Sequence, residues 1–250
     1  MLSQIEALEE QFRNIHSRLV SELSTNEGIS IDQVLQALTM LPFAIRRQYQ
    51  DTIQTMLPDL ESEDRISSLF DLLHPLFSFM DYELLKHLVS KFGSPRLKEE
   101  MAVYAEKVQL FKRATTVSDL VEYWPGIELP ESNYSRLRAK IGGDPGTYTL
   151  EELDKFRRTF FGQMRLSEFV SASILLQLER SNSFIAIWLI PTVVVPKLVE
   201  VTKQQLGAVN VFFQEEQVLQ LSVDKQTLYT NERAMESQSP SVSTHVSPRL

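Results

Sequence analysis

Four histidines, His16, His74, His87 and His245, are the readiest acid–base and metal-binding groups in this chain, which holds no cysteine. No two of them have the HxxxH spacing that sets two imidazoles on one helix face toward a metal ion. His74 and His87 flank the block Leu76–Tyr82. A chain that doubles back there would join them as a metal or acid–base pair, with Asp81 or Glu83 beside them. The competing reading makes each a partly buried helix residue. The lack of cysteine excludes disulfides, thiolate nucleophiles and cysteine-type zinc sites. Gly142-Gly143-Asp144-Pro145-Gly146 is the glycine-rich loop of the sequence. It does not match GxxxxGK[ST], and no lysine follows to meet a phosphate, so it reads as a turn. No GxSxG elbow presents a serine nucleophile. Glu151-Glu152 falls in the first turn of an expected helix, where the helix dipole accounts for paired carboxylates. The sequence therefore nominates no catalytic residue, no cofactor and no metal ligand outside the His74/His87 alternative. Ser239-Pro240 and Ser247-Pro248 make Ser239 and Ser247 candidates for proline-directed phosphorylation, the alternative being an inert end.

The elements that would position such groups are mostly helical. Leu2, Ile5, Leu8, Phe12, Ile15 and Leu19 recur at three-and-four spacing, a heptad-like seam. The seam either packs on the rest of the chain or pairs two copies of it. Ser30 and Gln33 form a capping-box pattern ahead of Val34, Leu38 and Leu41, and Pro42 closes that helix. Ile45, Tyr49, Ile53 and Met56 line the next, which Pro58 stops. Asp59–Asp64 is acidic but lacks the ligand spacing and glycine of a calcium loop, so it reads as a solvated linker. Ile66, Leu69, Phe70, Leu73, Leu76, Phe77 and Phe79 make an apolar block that Pro75 splits. Asp81 is expected to cap a helix through Leu84, Leu85, Leu88 and Val89. Gly93 stands where a left-handed C-cap belongs, and Ser94-Pro95 where an N-cap and first helical residue belong. Leu97, Met101, Tyr104, Val108 and Phe111 line a long helix, and Thr116–Asp119 opens a short one that Pro125-Gly126 ends.

Prolines and glycines gather from Pro125 to Gly146, which predicts a connection without regular structure. Thr149 to Glu152 is a second capping box, and Leu153, Phe156, Phe160 and Met164 form the face of its helix. Phe169, Ala172, Leu175 and Leu178 suggest another helix. The stretch Ser183–Pro196, SFIAIWLIPTVVVP, is the most apolar of the chain. A membrane-spanning helix needs about 20 apolar residues. Only about 16 uncharged ones separate Arg180 from Lys197, and Pro191 and Pro196 interrupt them. Phe184–Ile190 is β-branched and aromatic and reads as a strand buried on both faces, the central one of a small sheet. A helix with Pro196 in its first turn and a hairpin, Val218–Val223 and Thr227–Tyr229, complete this unit.

The expected fold is thus mainly α, with a small C-terminal α+β unit of strand, helix and β-hairpin. The divisions are 1–58, N-terminal helices; 62–126, a helical module; 127–148, the turn-rich connection; 149–230, helices plus the strand–helix–hairpin unit; and 231–250, a disordered Ser-rich tail. The net charge of −8 argues against a broad nucleic-acid surface. About −7 of it falls in residues 1–64, the mark of a solvated acidic helix surface or of one that meets a basic partner. The first residues lack a basic start and an apolar run, so no signal peptide is expected and the setting reads as cytoplasmic. No basic amphipathic helix suggests membrane-surface binding.

The block LLHPLFSFMDYELLKHLVSKFGSPRLKEEMAVYAEKVQLFKRATTV, Leu72–Val117, resembles a poorly characterised helical module of large invertebrate multidomain proteins. So does the later pair of segments IWLIP and VLQLSVDKQTLY. The matching positions are Leu85, Leu88, Val89, Phe92, Gly93, Leu97, Lys98, Met101 and Tyr104, then Trp188, Leu189, Ile190, Pro191 and Tyr229. The resemblance spans about residues 66–230. Such modules often precede death-fold domains, which implies signalling scaffolding and brings no catalytic residues. The functional expectation is a non-enzymatic interaction module of a cytosolic signalling protein, in cell-death or innate-immune signal transduction. Its partners would be other proteins, including a second copy through the seam Ile5, Leu8, Phe12, Ile15 and Leu19. The alternative is an enzyme with a site near His74 and His87.

Overall fold

The first helix, α1 (Leu2–Thr25), runs along the outside of a helical layer and buries one stripe of itself. After it come α2 (Ile31–Ala37), α3 (Ser62–Leu73), a 3₁₀ turn (His74–Leu76), α4 (Glu83–Phe92), α5 (Pro95–Ala114) and α6 (Val117–Val121). The structure is a computed structural model and describes residues 2–26, 28–39, 41, 46–47, 51, 62–121, 134–180, 183–204 and 206–231. Outside these lie Pro42, most of the expected helix of Ile45, Tyr49, Ile53 and Met56, the stretch Asp59–Glu61, Trp124 to Pro130, and the tail with Ser239, His245 and Ser247.

Local signals set several helix ends as the residues dictate. Ser30 and Gln33 form a reciprocal capping box, and Thr149 and Glu152 form another. Each satisfies backbone N–H groups that a helix start leaves unpaired. Ser94 accepts the Leu97 N–H at 3.3 Å, with Pro95 at the first position of α5. Other ends differ from expectation. The residue preceding α4 is Tyr82, without a side-chain cap, and Asp81 is engaged elsewhere. Gly93 is extended (φ −68°, ψ 149°), not left-handed. Its glycine character serves close approach, because a Cβ there would stand 2.8 Å from the Val89 carbonyl oxygen. Ser62–Asp64 opens α3 and is no loop. Helix α2 ends at Ala37, before Pro42.

The C-terminal region departs most from the helical expectation. It carries a five-stranded antiparallel sheet in the order β2-β3-β1-β4-β5. The strands are β1 (Tyr134–Ile141), β2 (Ile174–Arg180), β3 (Phe184–Pro191), β4 (Val218–Val223) and β5 (Gln226–Thr230). The helix α7 (Leu150–Gln163) and a 3₁₀ segment (Ser167–Ala172) lie between β1 and β2, and α8 (Val195–Gln204) and α9 (Leu206–Glu215) between β3 and β4. Two expectations are corrected here. The turn-rich connection contains a strand, β1, and the expected helix over Leu175 and Leu178 is the strand β2. Leu175 and Leu178 are buried by sheet pairing, which overrides their helix-compatible spacing. The segment around Trp188 is an interior strand, as expected, but β1 holds the middle of the sheet. Pro196 sits in the first turn of α8.

β3 is buried on both faces. Phe184, Ala186, Trp188 and Ile190 enter the main core, where Phe156 of α7 stacks on Trp188 and on Phe212 of α9, each at 5.8 Å between ring centres. Ile187 and Leu189 point the other way and pack with Leu176 in a small second cluster. A register shift between Leu175 and Gln177 admits Leu176 to that cluster. The main buried cluster is continuous from Ile5 to Val223, so helical layer and sheet share one core. The loop at Gly142–Gly146 is a turn, with Gly143 at φ +101° and Asp144 Oδ1 accepting the Gly146 N–H at 2.8 Å.

Candidate functional site

Ile5, Leu8, Phe12, Ile15 and Leu19 are all buried, and Leu23 extends the stripe. They pack within the same chain, α1 lying against α3, α4 and α5. The expected self-association through this seam is therefore corrected: the folded chain already covers it. Glu22 fastens α1 further, its carboxylate accepting both the backbone N–H and the hydroxyl of Ser94 at 2.8 Å. Arg18 pairs with Glu100 of α5.

Neither a hydrogen bond nor an ion pair links the expected histidine couple. His87 Nε2 lies 2.8 Å from the Ala37 carbonyl oxygen, where it donates and ties α4 to the end of α2. His74 is exposed on its 3₁₀ turn. The acidic residues expected beside them are committed elsewhere, Glu83 to Lys86 at 3.9 Å and Asp81 to Arg157 at 2.8 Å. Among the described residues no group of three or more His, Asp or Glu side chains is placed to hold a metal ion. His16, not singled out by spacing, has the more unusual setting. Its ring meets Phe77 and Phe70 edge-on, at 5.0 and 5.4 Å, and lies beside Phe12. Burial holds its pKa below the ordinary value, nearby His74 adds to this, and Asp71 opposes it.

The strongest polar constellation was not legible in the sequence. Arg157 on α7 is only 6% exposed. Its guanidinium pairs with Asp81 at 2.8 Å and with Asp154, and donates to the Ser173 carbonyl oxygen. Lys112 of α5, also buried, reaches Asp154 at 3.5 Å, and Arg158 reaches it at 3.2 Å. Burial pushes the Asp154 carboxyl up, but Arg157, Lys112 and Arg158 together outweigh it and hold the group at about 2. Asp81 Oδ2 also accepts the Leu175 N–H at 3.3 Å. The network thus joins the segment before α4, helix α5, helix α7 and strand β2. Three cations share two carboxylates, and both carboxylates are committed to them, so the network acts as a fastening between the helical layer and the sheet.

A largely apolar groove of about 440 Å³ lies between α1 and α5. Ala7, Gln11, Lys107, Leu110 and Ala114 line it, over a floor of Leu8 and Phe111. Leu110 is 57% exposed and Val103, two turns earlier on α5, 51%. Leu2 is also exposed at the start of α1, so three of the five exposed large apolar residues described lie on this helix pair. Lys107 stands mid-groove, its Nζ donating to Gln11 Oε1 at 3.1 Å. The two helices that set this groove bury their opposite faces in the core.

No family model, curated protein or solved structure matches the chain. Among the described residues no helix is long and apolar enough to cross a membrane.

Proposed function

We propose that this chain is a non-enzymatic protein–protein interaction module, a scaffold of a cytosolic signalling protein that works with death-fold partners in cell-death or innate-immune transduction. The observation that carries the interaction reading is the α1–α5 groove, with Leu110 and Val103 exposed beside it. A soluble chain gains nothing from leaving branched aliphatic side chains in water on an ordered helix, and clustered apolar exposure marks a binding surface. The groove suits an amphipathic helix whose apolar residues recur at three-and-four spacing, laid along α1 and α5. The polar network at Arg157 commits both of its carboxylates, Asp81 and Asp154, to cations, which fits a structural fastening. The link to death-fold signalling rests on the resemblance of Leu72–Val117 and the later strand segments.

The test is a titration of isotope-labelled protein with an amphipathic helical peptide carrying leucines at heptad spacing. Amide shifts confined to Ala7, Gln11, Lys107, Leu110 and Ala114, lost in Leu110→Glu, would support the reading. Shifts scattered over the fold, or none with any such peptide, would remove it.

A further inference from the structure

The outer face of the sheet carries a second, differently charged surface. β1 alternates strictly: Leu137, Ala139 and Ile141 are buried, and Arg136, Arg138 and Lys140 point the other way. Register places Arg136 opposite Leu189, Arg138 opposite Ile187 and Lys140 opposite Ile185, so each cation stands beside an aliphatic side chain of β3 on one face. On the other flank the partners are neutral, Ser222 beside Arg138 and Gln220 beside Lys140. Arg136 and Arg138 are exposed and Lys140 is partly so. Two carboxylates approach the row. Glu179 of β2 pairs with Arg138, and Asp224 Oδ1 accepts the backbone N–H of Arg136 at 2.8 Å. Three cations in line at about 6.8 Å spacing, set against these two carboxylates, leave the middle of the sheet with a positive excess in a chain of net charge −8.

We propose that this face is a docking surface for an acidic segment of a partner protein, with carboxylates meeting Arg136 and Lys140 on either side of the Arg138–Glu179 pair and aliphatic side chains resting on Ile185 and Tyr134. Charge complementarity sets the sign of the occupant. The flanking residues set its class. A single-stranded nucleic acid would need aromatic platforms for its bases, and the row is bordered by isoleucine, leucine, serine and glutamine, with Tyr134 alone at one end. Arginine presents a planar fork that matches a carboxylate, so Arg136 supplies orientation as well as charge. This surface shares no residue with the α1–α5 groove, and the inference stands whether or not that groove binds a helix.

The experiment is fluorescence anisotropy on the full chain with three labelled probes: a short peptide alternating Glu and Val, its twin alternating Gln and Val, and a short oligothymidylate. The expected result is saturable binding of the Glu–Val peptide, at least about tenfold weaker binding of the Gln–Val twin, and weakening as salt rises. Arg136→Glu with Lys140→Glu should reduce Glu–Val binding by about tenfold or more, while Leu110→Glu leaves it unchanged. Should the charge-reversed protein misfold by circular dichroism, Arg136→Gln with Lys140→Gln takes its place with the same expectation. No binding, equal binding of the twins, indifference to the substitutions, or tighter binding of the oligothymidylate would each overturn the proposal.

Discussion

Substituting Arg157→Met should be among the most damaging single changes available on this fold. The cost follows from what the guanidinium leaves behind. Asp81, with 13% of its side chain exposed, loses its ion pair, and the Ser173 carbonyl oxygen loses a donor. Asp154 loses the first of the three cations that hold it at about 2 instead of 3.8. At about 1.4 kcal/mol per pH unit that whole depression is worth roughly 2 kcal/mol at neutral pH, and Lys112 and Arg158 retain part of it. An unpaired buried carboxylate is the larger loss, so the total should be about 3–5 kcal/mol. Urea unfolding followed by circular dichroism at neutral pH measures it. Arg157→Met combined with Asp81→Leu should cost less than Arg157→Met alone, since no orphaned carboxylate remains at Asp81. The pH dependence has a definite sign. The Asp154 carboxyl is depressed in the folded state, so its contribution is whole above about pH 4 and disappears as pH falls toward about 2. Arg157→Met should flatten that acid limb. A loss under about 1 kcal/mol, or a double variant no better than the single, would refute the view that this network fastens the two layers.

His16 has its pKa lowered by burial among Phe12, Phe70 and Phe77, so its contribution to stability is whole above about pH 6.5 and declines as pH falls below it. Thermal melts of His16→Phe should show a shallower loss between about pH 7 and pH 5 than the parent protein. Ser94→Ala removes the α5 cap and one of the two hydrogen bonds to Glu22, the backbone N–H bond remaining, and chemical denaturation should register about 1–2 kcal/mol. Leu19→Ala empties a fully buried site between helices, and the same assay should lose about 2–5 kcal/mol, with light scattering unchanged because the seam is internal.

What the sequence made legible was what depends on near neighbours. The capping boxes at Ser30 and Thr149, the N-cap at Ser94-Pro95, the break at Pro75 and the stripe from Ile5 to Leu19 each rest on residues within a few turns of one another. The sheet was half visible. Phe184–Pro191 declares itself by composition, whereas β1 carries a clean period of two, RLRAKI, concealed among the turn residues around it. β2 was harder, because ILLQLE is compatible with a helix face as well as with a strand, and only pairing with β3 decides between them. The polar sites were illegible for another reason. Asp154 with Arg157 and Arg158 is a readable spacing on one helix, but Asp81 and Lys112 reach them only through the tertiary fold. The cation row of β1 becomes a surface only when β3 and β4 lie to either side.

The order of the strands also governs how the molecule is made. β1 leaves the ribosome before the other four strands of the sheet, yet one of its neighbours ends at Pro191 and the other at Val223. Between those moments the growing chain carries a strand with one apolar face and at least one open edge, a state that favours mispairing between nascent chains. Ribosome stalling before β4 would leave that edge unpaired, while the helices upstream were already free to collapse.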